Sequence, residues 1–300
     1  DYAQPEMKYR PYARWWLAEG SHTDETLKES VQELYDDGYG GIEFVTLDES
    51  QYLDNETYAW GSPEWIHDTK VIIEECNRLG MSVSMTSGTH WSTANLVSIT
   101  PDEEAASQEL GYTVLSVTGS ADESGTNDSE SSGGKTTYDG YLPYCKLPAN
   151  VTKQTLVKVI AAKVTERGSA AEEKNVVPSK IDTSSLKDVT DMASDDNGDG
   201  IYGIHFIAED DGDYDLFAFY QYGTGESYKP AISPSYTINY LDQEGANALI
   251  DYWNSNVLTD EVQELINGID ECDMYMDSLE LSTHGTNTTG QLWCKDMEEQ

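Results

Sequence analysis

Positively charged residues are scarce in this chain of 300 residues. Lysine and arginine total 17 against 56 aspartate and glutamate residues, which gives a formal net charge of −39 at pH 7. A field of that sign repels phosphate backbones and anionic lipid surfaces, so the composition argues against nucleic acid as a partner. The acidity itself is explained most simply by a solvated acidic surface around a neutral core.

Long apolar runs and cysteine are also rare. No stretch approaches the ~20 apolar residues of a membrane span, so we expect no transmembrane segment. Four cysteines in 300 residues are too sparse for a disulfide scaffold, and the absence of a Cys-x-x-Cys pair leaves no zinc signature. The chain opens at Asp1 without a basic, apolar leader, and we interpret it as cytosolic or as a mature form without its signal peptide.

Apolar material is nevertheless sufficient for a folded core. Hydrophobic residues make up 38% of the chain and aromatic residues 10%, which excludes global disorder. A length of 300 residues suits one large domain or two ordinary ones.

The first hundred residues alternate between strand and helix patterns. Apolar runs at 13–17, 42–47 and 81–85 predict strands. Thr23 and Ser62 are typical helix caps, and each is followed by an apolar stripe at helical spacing. The order strand, helix, strand, helix, strand predicts a parallel sheet with helices outside.

A β-rich region follows after residue 110. Five segments have the composition of strands: 112–117, 156–164, 201–208, 213–221 and 235–240. Residues 118–140 are rich in Ser, Gly, Asp and Thr and predict a mobile acidic surface loop.

Helical patterns return near the end of the chain. We predict helices at about 242–255 and 260–268, a strand at 273–279 and a closing helix over 292–300. Residues 100–104 also have the signature of a helix start.

The fold class predicted from these patterns is α/β, a (β/α)8-type barrel interrupted by a β-rich insertion. Residues 1–110 are interpreted as the first part of the barrel, 111–235 as the insertion and 236–300 as the continuation of the barrel. Only about four strands of the parallel kind can be counted, whereas such a barrel needs eight. We therefore expect the barrel to be incomplete and the chain to be truncated.

Glu43 lies inside an apolar strand pattern. A lone carboxylate in such a strand costs several kcal/mol unless it is paired, hydrogen-bonded or metal-bound. Structural pairing and a functional role are both open for this residue. Parallel barrels place their active sites at the carboxyl ends of their strands, so strand-end polar residues are the natural candidates.

The segment Ser87–Trp91 forms a second cluster. Gly88 permits a sharp turn, His90 offers a hydrogen bond or a proton, and Trp91 offers a flat apolar face that could pack against a sugar. A loop histidine beside a packing tryptophan is the alternative.

The segment Met274–Glu280 forms a third cluster. Asp277 and Glu280 end an otherwise apolar strand, where one carboxyl could act as a general acid or base. A salt-bridging or capping role is the alternative.

The acidic run Asp195–Gly200 imitates the start of a calcium-binding loop. Position twelve of such a loop requires a bidentate Glu, but Phe206 occupies it, so we expect an acidic turn between strands. The sequence contains no P-loop, no G-x-G-x-x-G and no G-x-S-x-G motif, which leaves nucleotide binding and α/β-hydrolase chemistry without support.

In this order the motifs resemble the catalytic region of glycoside hydrolase family 106, the α-L-rhamnosidase family. The resemblance covers about 8–110 and 213–300. It is carried by short matches to that family's pattern at Pro11–Trp16, Gly38–Glu43, Leu79–Met81, Gly88–Trp91 and Asp277–Glu280.

The resemblance implies inverting hydrolysis of terminal α-L-rhamnosides and a calcium ion that engages sugar hydroxyls. It implies Glu280 as one catalytic carboxyl, the acid, and Glu43 or a residue beyond Gln300 as its partner. Asp277 would orient a neighbour or hold calcium. The same resemblance implies a sugar subsite shaped by His90 and Trp91, with Arg14 and Trp16 near its mouth.

Three functions therefore remain to be separated. The first is an extracellular bacterial glycosidase that acts on rhamnose-bearing glycans. The second is a non-catalytic surface protein of the same fold that binds carbohydrate or calcium. The third is a structural cell-surface domain whose acidity keeps it soluble.

Overall fold

The computed structural model describes most of the chain, which folds into two compact units. The first unit comprises 1–107 and 225–282, and the second comprises 108–224 and 283–300. The described residues are 5–18, 20, 22–47, 57–58, 60–88, 94–119, 134–171, 175–227, 235–276, 279, 281–283 and 290–299.

The elements are numbered in chain order. The α-helices are α1 (Asp24–Asp36), α2 (Pro63–Leu79), α3 (Gln243–Tyr252) and α4 (Asp260–Asn267), and the last turn of α3 runs into a π-helical segment, Trp253–Val257. The strands are β1 (Tyr12–Ala18), β2 (Gly41–Leu47), β3 (Ser82–Thr86), β4 (Asn95–Leu96), β5 (Gln108–Val117), β6 (Thr137–Tyr141), β7 (Gln154–Glu166), β8 (Ser169–Ala171), β9 (Asn175–Val177), β10 (Lys180–Ile181), β11 (Lys187–Asp188), β12 (Ala193–Ser194), β13 (Gly203–Ile207), β14 (Tyr214–Gly223), β15 (Tyr236–Thr237), β16 (Cys272–Tyr275) and β17 (Gln291–Trp293).

The first unit is built on a parallel sheet of four strands in the order β1-β2-β3-β16. Helix α1 connects β1 to β2, and α2 connects β2 to β3. A separate two-stranded antiparallel ribbon pairs β4 with β15. The alternation predicted for the first hundred residues is confirmed by these elements.

Helices α1 and α2 begin at the caps that the sequence predicts. The Thr23 hydroxyl accepts the Thr26 N–H and caps α1, and the Ser62 hydroxyl accepts the Trp65 N–H and caps α2. Gly80 ends α2 in the left-handed conformation, at φ 68°, where a side chain would be strained. Hydrogen bonds and backbone conformation within a few residues therefore determine where α1 and α2 begin and where α2 ends.

One face of the parallel sheet lies against the helices and forms the apolar core of the first unit. The strand residues of this core include Ile42, Phe44, Val83 and Met85, each 4% exposed or less. Helix residues opposite them, among them Val31 and Ile72, are fully buried. Burial of this kind contributes about 25 cal/mol per Å² of apolar surface removed from water.

The second unit is antiparallel. Its largest sheet has the strand order β10-β7-β14-β5-β17, and a three-stranded sheet has the order β12-β13-β6. Residues from both sheets share one apolar cluster that includes Phe206, Leu216 and Tyr220. The β-rich character predicted for this part of the sequence is confirmed.

The predicted (β/α)8-type barrel is wrong. Among the described residues the parallel strands number four and form a single row with β1 and β16 at its ends, and most other strands are antiparallel. The predicted alternation of strands and helices is confirmed for the first hundred residues. Such alternation determines only that neighbouring strands pair in parallel, and it does not determine whether the sheet closes into a barrel. Closure requires further parallel strands, but the strands between residues 108 and 224 pair in antiparallel sheets instead.

Two smaller predictions also fail. Residues 101–105 form turns rather than a helix. The closing segment contains the strand β17, which pairs with β5, instead of a helix from 292. Within the predicted acidic loop 118–140, residues 137–140 belong to β6, and 120–133 lie outside the described residues.

No helix in the described part of the chain is long and apolar enough to cross a membrane. The four cysteines are free thiols, and burial raises the pKa of Cys76 to about 12 and that of Cys145 to about 11.

Gly40 is required where the chain enters β2. A Cβ at this position would overlap the Met7 carbonyl oxygen and would lie 2.8 Å from the Arg10 Cβ. The short turn at Met7–Tyr9 therefore packs directly on the backbone of residue 40. This contact explains one glycine of the Gly38–Glu43 motif in structural terms.

Substitution Gly40→Ala is expected to lower the free energy of unfolding by about 1–3 kcal/mol, because the backbone of the Met7 turn must shift. Gly203→Ala is the matched control, since its added Cβ would meet no atom closer than 3.8 Å. Urea unfolding of both variants measures the difference. Equal stability of the two variants would contradict the overlap.

Candidate functional site

One row of polar side chains crosses the parallel sheet of the first unit. The strand registers align Arg14 with Glu43, Glu43 with Ser84, and Ser84 with Asp273. Side chains alternate between the two faces of a strand, and the neighbours Ile42 and Phe44 belong to the helix-covered core. The polar row therefore lies on the face of the sheet opposite the helices.

Arg14 and Glu43 form an ion pair at the centre of this polar face. Arg14 Nε lies 2.5 Å from Glu43 Oε1, and the Glu43 side chain is only 15% exposed. Sequence analysis left pairing and function open for Glu43, and the structure supplies the pairing. A carboxylate this buried requires such a partner.

Tyr275 completes the surroundings of Arg14. The Arg14 Cζ lies 4.4 Å from the centre of the Tyr275 ring, within the range of a cation–π contact. Burial by itself lowers the pKa of Arg14, but hydrogen bonds to Tyr275 and Glu43 outweigh it and raise this pKa above its usual value. The guanidinium is therefore a permanent positive charge beside the carboxylate.

The polar face extends along the strands on both sides of the ion pair. Trp16 lies two residues beyond Arg14 on β1 and is 54% exposed, so its ring offers a flat surface toward the carboxyl end. At the amino end, the Tyr12 hydroxyl donates to Glu271 Oε2 at 3.3 Å. The face thus offers an aromatic ring and charged groups in one continuous band.

Tyr240 links the chain before β4 to the carboxyl end of β16. The Ala94 N–H donates to the Tyr240 hydroxyl at 2.6 Å, and this hydroxyl lies 3.6 Å from the Met276 Sδ. Ala94 directly precedes β4, and Met276 directly follows β16. Burial is the main cause that raises the pKa of Tyr240, with a further contribution from the charge of Glu226.

Glu226 is a buried carboxylate that sequence analysis missed. It is 8% exposed, and its Oε1 accepts a hydrogen bond from the Ser282 hydroxyl at 3.0 Å. The Thr237 N–H donates to the Glu226 carbonyl oxygen at 3.1 Å. In the sequence Glu226 follows Gly223–Gly225, a stretch typical of a turn, so no spacing marked it as functional.

Four of the residues proposed from the sequence lie outside the described residues: His90, Trp91, Asp277 and Glu280. Their roles, and the separation of Glu280 from Glu43, stay predictions. Of the predicted site, the described residues Arg14 and Glu43 are in contact, and Trp16 lies on the same face of β1 as Arg14.

Metal binding finds no support among the described residues, where no group of three or more His, Cys, Asp or Glu side chains could hold an ion. The Asp195 carboxylate instead accepts the N–H groups of Asp199 and Gly200 at 3.1 and 2.8 Å. These hydrogen bonds lower the pKa of Asp195 and make residues 195–200 a self-contained acidic turn.

Substitution Arg14→Met is expected to lower the free energy of unfolding by roughly 1–3 kcal/mol at pH 7, because Glu43 loses its cation while the new side chain keeps most of the packing. The double variant Arg14→Met, Glu43→Gln is expected to recover part of that loss, since no buried charge is left. Thermal or urea unfolding measures both. A double variant less stable than Arg14→Met would contradict the pairing.

No family model matches the chain, and no curated protein sequence matches it. Among solved structures, the chain is similar to that of a rhamnosidase from Novosphingobium sp. PP1Y, with a TM-score of 0.52 and 12% sequence identity. The match covers 86% of this chain but only 37% of the rhamnosidase chain. At this level of identity, the similarity is one of fold.

Proposed function

We propose that the protein is a glycoside hydrolase whose site lies on the polar face of the parallel sheet in the first unit. The observation that carries the proposal is the buried Glu43 carboxylate, paired with Arg14 on the face that also exposes Trp16. The fold similarity to a rhamnosidase supports it. The proposed substrate is a glycan with a terminal α-L-rhamnose or a related sugar.

The proposed reaction uses two carboxyl groups with inversion at the anomeric carbon. One carboxyl protonates the leaving oxygen, and the other activates water from the opposite side, at a separation of about 6.5–9.5 Å. Glu43 suits the base, because a general base must be ionised and Arg14 offers it a permanent positive charge. Glu280 is proposed as the acid on the strength of the Asp277–Glu280 motif.

Aromatic and polar side chains would bind the sugar. The exposed face of Trp16 suits the apolar side of a pyranose ring. His90 and Trp91 are proposed, from the sequence motif, to complete the subsite. An extracellular location and a bacterial source belong to the same proposal.

Calcium is proposed only from the resemblance of motifs, with Asp277 as the candidate ligand. The described residues offer no fitting group of ligands, so no step of the reaction is assigned to the ion.

The full-length protein is expected to release the aryl alcohol from an aryl α-L-rhamnoside. Both Glu43→Gln and Glu280→Gln are expected to lower kcat by at least about 100-fold, since each removes a proton-transfer group. Glu29→Gln on the exposed side of α1 is the control and should leave kcat unchanged. Proton NMR of the first product is expected to show the β-anomer.

Several results would contradict this function. Sugar binding by calorimetry without any product release would favour a non-catalytic binding protein. A first product with the α-anomer would exclude inversion. Full activity of Glu43→Gln would show that neither the Glu43 carboxylate nor its ion pair with Arg14 takes part in the reaction.

Millimolar Ca²⁺ is expected to raise the Tm of the full-length protein by a few degrees, because an ion that binds only the folded state stabilises it. The Asp277→Asn variant should lose this rise, measured by scanning calorimetry with and without a chelator. Asp195→Asn is the control and should keep it, since Asp195 already accepts backbone N–H groups. A Tm of the parent that does not respond to Ca²⁺ would contradict the calcium proposal.

A further inference from the structure

We propose that the second unit carries a carbohydrate-binding site of its own, a cavity beside the acidic turn 195–200 that holds a short neutral oligosaccharide with one sugar ring against Tyr144. The inference goes beyond the proposed function, because it concerns binding in another part of the chain and does not depend on hydrolysis.

The cavity is formed entirely by residues of the second unit. Its volume is about 740 Å³, and it is lined by 144–147, 152–155 and 198–202, together with Asp195. Sites for small molecules in proteins typically occupy about 300–1,000 Å³, so this volume suits an organic ligand. No residue proposed for the site on the parallel sheet contributes to its lining.

Hydrogen bonds hold the walls of the cavity in place. The Gln154 side chain accepts the Cys145 N–H at 2.9 Å and donates to the Cys145 carbonyl oxygen at 3.1 Å, which ties the first two lining segments together. The Leu142 N–H donates to the Tyr202 carbonyl oxygen at 2.9 Å, which brings the third segment alongside the first. A site whose backbone is already ordered loses little conformational entropy when a ligand binds.

The acidic turn forms one side of the cavity. The Asp195 carboxylate accepts two N–H groups of the turn, and Asp199 Oδ1 accepts the Ile201 N–H at 3.0 Å. The N–H of Gly200 and those of its neighbours lower the pKa of Asp195, so this carboxylate is ionised at neutral pH. The turn therefore owes its shape to its own hydrogen bonds and gives the cavity fixed hydrogen-bond acceptors.

Two tyrosine side chains give the cavity flat apolar surfaces. Tyr144 is 67% exposed, and Ile201 nearby in the lining is 48% exposed. The centre of the Tyr202 ring lies 6.1 Å from that of Tyr220, a residue of the apolar core that packs against it. Large apolar side chains exposed together around a cavity with polar groups are typical of a ligand site.

The polar groups of the cavity carry both signs of charge. Lys146 and Lys153 line it, and so do the carboxylates of the acidic turn. A charged ligand of either sign therefore meets repulsion as well as attraction. A sugar hydroxyl both donates and accepts hydrogen bonds, so it suits carboxylate and ammonium groups alike. Because the apolar side of a pyranose ring also packs against an aromatic ring, a neutral saccharide fits all of these groups.

Titration of the full-length protein with neutral sugars, followed by NMR of ¹³C-labelled tyrosine rings, tests the proposal. The probes are a rhamnose-terminated trisaccharide and maltotriose, since the geometry assigns a class of sugar and not one member of it. The variants Tyr144→Phe and Tyr202→Phe identify the two signals by their disappearance from the spectrum. We expect at least one of the sugars to shift both signals in a saturable way.

The Tyr144→Ala variant measures the contribution of the exposed ring. Its Kd for the sugar, followed at the Tyr202 signal, should be about tenfold higher than that of the parent, which is the scale of a lost aromatic contact. Tyr144→Phe keeps the ring, so its Kd should stay within about threefold of the parent value. The control is Tyr9→Ala, which removes a tyrosine of the first unit with a similar exposure of 70% and should leave Kd unchanged.

The outcomes are distinct. If neither sugar shifts the Tyr144 and Tyr202 signals, the proposal is overturned, and this parent titration carries the test even where thermal unfolding shows that Tyr144→Ala is not folded. An unchanged Kd in a folded Tyr144→Ala would also overturn it. Signals that respond to inorganic phosphate or Ca²⁺ but to neither sugar would exclude a neutral saccharide as the ligand. Hydrolysis of an aryl α-L-rhamnoside is a separate measurement, so failure of the proposed glycosidase function is distinguishable from failure of this site.

Discussion

The chemistry of the first unit depends on the difference between the two faces of its parallel sheet. Helices cover one face, where Ile42 and Phe44 are buried in the apolar core. The residue between them, Glu43, must therefore point to the opposite face. The low exposure of the Glu43 side chain makes an unpaired charge costly, and the register of β1 on β2 places Arg14 beside it.

The ion pair connects the stability of the sheet with its proposed function. Arg14 compensates the Glu43 charge in the folded state and contacts the Tyr275 ring from β16. Three of the four parallel strands thus contribute to one small cluster of side chains. Tyr240 and Glu226 add a second polar cluster near β4 and the carboxyl end of β16, with their own support from the β4–β15 ribbon.

Local sequence signals predicted local structure well. The caps Thr23 and Ser62 set where α1 and α2 begin, because each acts through a hydrogen bond to a backbone N–H three residues later. The barrel was wrong because closure depends on pairing between distant strands. The Arg14–Glu43 pair depends on the same long-range register, and Glu226 gave no signal because its partner Ser282 lies 56 residues away.

The decisive measurement is a crystal structure of the full-length protein with a bound, non-hydrolysed rhamnoside. The sugar is expected on the polar face of the four-stranded sheet, in contact with Trp16, with its anomeric carbon between Glu43 and Glu280. A sugar held only in the second unit, or one bound in the first unit out of reach of Glu43, would contradict the assignment of this face as the site.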